Sequence, residues 1–227
     1  MRRTIIILAI ILSSLNAKAQ SDPEYLMEIG AGAGMVNYLG DFNGSITGNM
    51  QPMATLMLRR LFNPYMGLRL HASYGKLKGS SADVKTYYPE YQEKAYEFSN
   101  TLADAGIVFE YNMWPYGTGR DYRGAKRLTP YIFGGLGATY VKTEDKSVVT
   151  ANIPIGIGVK YKIGDRMNLG LQWAAHFSLN DELDGRKDPY TVESTGAFKN
   201  TDGYSTLTLT LTYSFKAKCR TCHNEDE

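Results

Sequence analysis

The stretch Tyr204-Ser-Thr-Leu-Thr-Leu-Thr-Leu-Thr-Tyr-Ser-Phe215 alternates apolar and hydroxylic side chains without interruption. Leu207, Leu209, Leu211, Tyr213 and Phe215 fall on one face, and Thr206, Thr208, Thr210, Thr212 and Ser214 on the other. A period of two belongs to a β-strand, whose successive side chains point to opposite faces; a helix needs a period near 3.6. Upstream the pattern recurs in Ile153, Ile155, Ile157, Val159, Tyr161 and Ile163, with Lys160 and Lys162 on the opposite face. It recurs again in Met167, Leu169, Leu171, Trp173, Ala175 and Phe177, in Met66, Leu68, Leu70, Ala72 and Tyr74, and in Tyr25, Met27, Ile29, Ala31, Ala33 and Met35. Weaker alternation over 52–60, 101–113 and 129–141 raises the expected number of strands to eight.

Alternation fits two architectures: a soluble barrel or sandwich whose apolar face is the core, and an outer-membrane barrel whose apolar face meets lipid. Three features favour an all-β, eight-stranded antiparallel outer-membrane barrel. The strands run to about 10 residues or more, enough for a tilted bilayer crossing and longer than usual soluble strands. The face opposite the apolar one carries Gly, Thr and Ser with charges of both signs, which suits a narrow polar lumen. Aromatic residues gather near strand ends (Tyr25, Phe62, Tyr65, Tyr74, Tyr111, Trp114, Tyr131, Tyr140, Tyr161, Tyr213 and Phe215), as interfacial girdles require.

Composition alone would not reveal this. The 227 residues are 43% hydrophobic, with 23 Gly, 17 Tyr and two Cys, which excludes a disordered chain, a collagen and a disulfide-stapled mini-domain. The long apolar run sits at the N-terminus. Arg2 and Arg3, an apolar core over 5–12, and Ala17-Lys18-Ala19 read as a secretory signal peptide over 1–19. That core is too short for a membrane helix, which needs about 20 residues. Cleavage there removes three basic residues and no acid, so the barrel (20–215) and tail (216–227) carry 22 basic against 23 acidic residues. Such a balance gives no reason to expect nucleic acid as a partner.

With the mature termini periplasmic, the outer connections are expected at 39–50, 77–98, 142–152 and 178–203, and the inner ones at 61–64, 114–129 and 164–166. The middle inner connection is long for a periplasmic turn and basic. Its Trp114, Tyr116, Arg120, Tyr122 and Arg123 are candidate partner contacts. Tyr87, Tyr88, Tyr91 and Tyr96 in the second outer loop are the candidates if the loops bind or adhere.

In a closed lumen charges must be paired, so Arg59, Arg69 and Lys160 are expected to face Glu28, Asp104 and Glu110 as a filling network rather than line an open pore. Gly30, Gly32, Gly34, Gly134, Gly135 and Gly137 read as small lumen residues, with no lysine-serine pair or helix following to make a phosphate loop. His71/Ser73 and His176/Ser178 place a base and a hydroxyl on one strand face, as in outer-membrane lipid A deacylases, with Asp104 or Glu110 available as orienting carboxylate. On a lumen face they are out of reach of lipid substrate, so no enzyme activity and no small-molecule substrate are expected.

The tail motif Cys219-x-x-Cys222-His223 spells the haem c attachment pattern, yet a short hydrophilic tail cannot enclose a haem, and a zinc site would need further ligands. A disulfide, within the pair Cys219–Cys222 or to a partner, is the simpler reading in an oxidising compartment, and no cofactor is expected.

Five further segments carry a family resemblance: Glu28-Ile-Gly-Ala-Gly-Ala-Gly-Met-Val-Asn-Tyr-Leu-Gly-Asp-Phe42; Arg60-Leu-Phe-Asn-Pro64 running into Ser73-Tyr-Gly-Lys-Leu77; Thr129-Pro-Tyr-Ile-Phe-Gly-Gly-Leu-Gly137; Ile153-Pro-Ile-Gly-Ile-Gly-Val-Lys-Tyr161; and Leu169-Gly-Leu-Gln-Trp173. In this order, and with the closing Leu207 to Tyr213 alternation, the chain resembles the PorG-type outer-membrane barrels of the Bacteroidota type IX secretion system over nearly all of 20–215. The resemblance implies a non-catalytic integral protein that docks or anchors the periplasmic ring of PorK and PorN at the outer membrane. It supplies no catalytic motif. Trp114, Tyr116, Arg120, Tyr122, Arg123, Cys219 and Cys222 are then the residues expected to meet the ring.

Overall fold

β-Branched, leucine and aromatic residues at every second position pack well on a pleated surface, and each alternating stretch forms a strand. The computed structural model describes residues 23–39, 49–80, 97–117, 125–143, 147–179 and 203–217. The strands are β1 (Tyr25–Leu39), β2 (Gln51–Leu61), β3 (Met66–Ser80), β4 (Glu97–Asn112), β5 (Leu128–Lys142), β6 (Ser147–Lys162), β7 (Met167–Ser178) and β8 (Gly203–Ala217). Each pairs antiparallel with its sequence neighbours, and β1 pairs with β8, closing the barrel. Closure satisfies the backbone groups that an open sheet would leave at its edges.

β3 runs on to Ser80 and β4 starts at Glu97, whereas alternation had suggested 75 and 101. Exposed Lys76 and Lys78 hide the pattern in the sequence, but buried Leu77 and Gly79 pair with Asn100 and Phe98 and keep the hairpin going. β6 likewise starts at Ser147, so the connection expected over 142–152 shrinks to 143–146. β8 continues through Lys216, which has a positive φ of 56°, to Ala217.

The two faces part cleanly. Outside stand exposed apolar side chains such as Leu56 (64% exposed), Leu136 (71%) and Val149 (70%), an arrangement a soluble monomer does not show over a whole sheet. Inside are buried Glu28, Arg59, Arg69, Asp104, Glu110 and Lys160, with the threonines of β8. Phe62, Tyr111, Trp114, Tyr161 and Tyr213 are exposed at the end that carries the short turns, and Tyr74, Tyr140 and Phe177 toward the other. Two expected girdle residues differ: Tyr25 and Tyr131 are buried, because odd-numbered positions of β5 face inward and Tyr25 turns into the barrel mouth under Lys162. Gly134, expected in the lumen, lies on the outer face, while Gly135 and Gly137 face inward.

The short turns are set by side-chain and backbone bonds. After β2, Asn63 Oδ1 accepts from the amides of Tyr65 and Met66, both at 2.8 Å, and Phe62 N donates to Met66 O at 3.0 Å. After β6, Ile163 N donates to Met167 O at 2.9 Å. Small residues let β1 approach β8: a Cβ on Gly32 would lie 2.6 Å from Leu209 O and 2.7 Å from Thr210 Cγ2.

Candidate functional site

The lumen is filled in layers. Nearest the long connections an apolar plug of Val36, Tyr38, Met53, Leu77, Phe98, Leu102, Val141 and Tyr204 closes the barrel. Tyr38 meets Phe98 edge-on at 5.2 Å between ring centroids. The strand alternation that makes the outside apolar also delivers these side chains inward, because β1, β3 and β4 change from glycine or polar to large apolar residues at their inner positions near this end.

Below the plug, Asp104 is held by four neighbours. Its carboxylate accepts from Asn152 Nδ2 at 2.6 Å, Tyr204 Oη at 2.9 Å and Thr139 Oγ1 at 3.2 Å, and lies 3.0 Å from His71 Nε2. His176 stacks on Tyr204 at 4.3 Å and stands 6.5 Å from His71. A cavity of about 20 Å³ beside this cluster is lined by Arg69, His71, Asp104, His176 and Thr208 among others. His71 Nδ1, His176 Nδ1 and Thr208 Oγ1 have no protein hydrogen-bond partner among the described residues. The space is water-sized and polar.

The next layer is ionic. Glu110 takes Arg59 Nε at 2.8 Å, Arg69 Nε at 3.1 Å and Lys160 Nζ, while Arg59 also pairs with Glu28. Lys160 donates further to Asn112 Oδ1 at 3.1 Å and lies 4.2 Å over the Tyr131 ring. Arg69 donates to Gln172 Oε1, which also accepts from Tyr131 Oη at 3.0 Å, and sits 4.8 Å over Phe133. Glu28, Arg59, Arg69, Glu110 and Lys160 therefore meet in one layer, whereas Asp104 joins the histidine cluster. The reason is register: Asp104 pairs with Ser73 and Thr139, beyond the reach of the Arg59–Lys160 level.

At the turn end Tyr116 caps the lumen. It is buried, donates to Asn168 Oδ1 at 3.0 Å, and lies under Lys162 Nζ at 5.6 Å. Asn168 donates in turn to Thr212 and Ser214. Tyr116 was expected as a partner contact; it is instead the inner cap, because the connection folds back onto itself through Gly117 N to Lys126 O (3.2 Å) and Lys126 N to Pro115 O (2.8 Å). Trp114 is exposed, with Lys126 Nζ 4.7 Å over its ring. Burial pushes the Tyr116 phenol well above its ordinary range, with Glu28 adding to the rise.

In both His-Ser pairs the serine donates to a threonine. Ser73 Oγ donates to Thr55 Oγ1 at 3.0 Å and Ser178 Oγ to Thr150 Oγ1 at 3.3 Å, while His71 turns to Asp104 and His176 to the Tyr204 ring. Sequence reading missed the plug, the Asp104–Tyr204 bond and the Tyr116 cap. Inward alternation of Tyr38, Leu77, Phe98 and Tyr204 signalled the first, but nothing local signalled the others. Arg120, Tyr122, Arg123, the pair Cys219 and Cys222, the signal peptide, the tail beyond 217 and the loop tyrosines 87, 88, 91 and 96 lie outside the described residues. Among the described residues no group of three or more His, Cys, Asp or Glu is placed to hold a metal ion, and no helix is long and apolar enough to cross a membrane.

An apolar outer band around a lumen filled with paired charges defines a closed eight-stranded barrel of the outer-membrane type. Neisserial surface protein A has this fold: the two superpose with a TM-score of 0.50 at 11% identity over 83% of this chain and 97% of that one. OprG from Pseudomonas aeruginosa (TM-score 0.49, 11% identity, 87% of this chain and 99% of that one) and Ail of Yersinia pestis (0.47, 10%, 86% and 99%) are further similar structures. The chain belongs to the DUF6089 family, a domain of unknown function, whose family model matches residues 2–224. No curated protein matches it.

Proposed function

We propose that this protein is an integral outer-membrane barrel that works as a membrane anchor and dock, neither a pore nor an enzyme, with its turn end and both mature termini in the periplasm. The observation that carries the reading is the filled lumen. Plug, Asp104 cluster, ionic layer and Tyr116 cap follow one another along the barrel, and the cavity beside the Asp104 cluster has room only for water. A barrel with nothing to conduct acts through its surfaces. The turn end offers one: Arg60, Lys126, Arg127, Arg166 and Lys216 are exposed there, with Phe62, Trp114 and Tyr213.

The resemblance to PorG-type barrels supplies the partner class, the periplasmic PorK and PorN ring of the type IX secretion system, and gives the turn end its role as the docking face. Tyr116 works from inside, holding its end of the connection against the barrel mouth while Trp114, Lys126 and Arg127 are exposed. On the lumen side Ser73 and Ser178 donate to Thr55 and Thr150, which supports a non-catalytic reading.

The test is co-purification of ring proteins with the full chain from membranes. Replacing the connection over 118–127 by a short turn, together with removal of 218–227, is expected to abolish ring association and secretion while the barrel remains folded. Unchanged association would overturn the docking assignment.

A further inference from the structure

An apolar groove of about 400 Å³ crosses the outer face of β5, β6 and β7. Its banks are two registered rows, Pro130–Val159–Leu171 and Ile132–Ile157–Trp173. The row between them, Tyr131–Gly158–Gln172, turns its side chains to the lumen, so the floor is backbone. Met113 stands at the turn-end corner, its amide bonded to Pro130 O at 2.9 Å. The next residue is Trp114, and Lys126 Nζ sits 4.7 Å over that ring; Arg127 is exposed beside it in sequence. Among the described residues the acids of this rim outside the lumen are Glu24 and Asp165, and neither is on β5 or the connection before it.

We propose that the groove and the Lys126–Arg127 pair form a seat for one anionic glycerophospholipid of the leaflet around the turn end, with an acyl chain along the groove and the phosphate against the two cations. The proposal rests on the membrane reading above. A groove of this size is in the range of small-molecule sites, and its apolar lining matches a hydrocarbon chain and rejects a headgroup. Charge complementarity identifies the rest of the ligand. Basic residues at a membrane surface attract anionic lipid, and the Lys126 ammonium stands over the face of Trp114, an exposed aromatic residue of the kind found at headgroup level. The two features adjoin at Met113–Trp114, so one molecule can meet both.

The chain has two tryptophans, Trp114 and Trp173, and the second forms a bank of the groove. In Trp114→Phe the ring beneath Lys126 stays aromatic and Trp173 becomes the sole indole reporter. The full chain with this change is reconstituted in phosphatidylcholine vesicles containing a minor fraction of phospholipid brominated on its acyl chain, either phosphatidylglycerol or phosphatidylcholine. Heat-modifiable gel mobility checks that each variant is folded.

Quenching of Trp173 by brominated phosphatidylglycerol is expected to exceed that by the same fraction of brominated phosphatidylcholine at least about threefold. The excess is expected to vanish in Lys126→Ser/Arg127→Ser, whose changes are on exposed side chains, and in Val159→Phe, which fills the groove. Equal quenching by the two lipids, or an excess that survives removal of both cations, overturns the proposal. Quenching by neither, even in vesicles made wholly of brominated phosphatidylcholine, overturns the membrane reading itself.

Discussion

Arg59 Nε lies 2.8 Å from Oε2 of Glu110, and both side chains are almost completely buried in the lumen. The pair is the hub of the ionic layer, since Arg59 continues to Glu28 and Glu110 to Arg69 and Lys160. Removing one partner of such a pair leaves charge buried without compensation, which typically costs about 3–5 kcal/mol. Glu110→Gln is therefore expected to lose stability of that order in urea unfolding from vesicles. Adding Lys160→Met, which withdraws one of the uncompensated cations, is expected to recover part of the loss, a coupling that a double-mutant cycle measures directly.

Gly32 and Gly134 make a contrasting pair. A Cβ at Gly32 would lie 2.6 Å from Leu209 O, while one at Gly134 on the outer face would meet Pro154 O at 3.7 Å. Gly32→Val is expected to destabilise the barrel by about 1–3 kcal/mol through overpacking. Gly134→Ala is expected to unfold at the same urea concentration as the parent chain.

Tyr116 gives the protein a dependence on alkaline pH. Its phenol donates to Asn168 at 3.0 Å and burial holds its pKa above the ordinary value. A group whose folded pKa is raised contributes stability in full below the unfolded pKa, near 10 for tyrosine, and loses it as pH climbs from there toward the folded value. At neutral pH Tyr116→Phe is expected to be less stable than the parent by about 1 kcal/mol, the worth of one hydrogen bond. Between about pH 9 and 11 that difference is expected to shrink, because only the parent chain has this phenol to ionise on unfolding. Paired urea titrations across this range check it; a difference that stays constant contradicts the buried cap.

Most of the barrel was legible because a strand with lipid on one side and a lumen on the other writes its two faces into alternate residues. Thr206 to Ser214 on β8 and Lys160 and Lys162 on β6 all face where their parity put them. What escaped was whatever depends on partners far apart in the chain. Asp104 parts from the arginines because of the register that sets it opposite Ser73 and Thr139, and Tyr204 reaches it from a strand 100 residues away. Tyr116 looked like surface because aromatic residues in a polar connection resemble contact residues. Its turn into the barrel depends on Asn168 and Lys162, which belong to a different hairpin. The end of β3 and the start of β4 were cut short for another reason: beyond the apolar band the outer face becomes polar, as at Lys76, Lys78, Glu97 and Ser99, and alternation loses its contrast while the hydrogen-bonded ladder continues.

The central claim is that the lumen is sealed and the protein acts as an anchor rather than a channel. Reconstitution of the folded full chain into a planar bilayer tests it most directly, with insertion verified independently by heat-modifiable mobility and protection from protease. Inserted protein is expected to show no unitary conductance above the bilayer baseline, because the apolar plug and the Arg59–Glu110 layer close the barrel in series. Stable, reproducible conductance steps from inserted protein would contradict it.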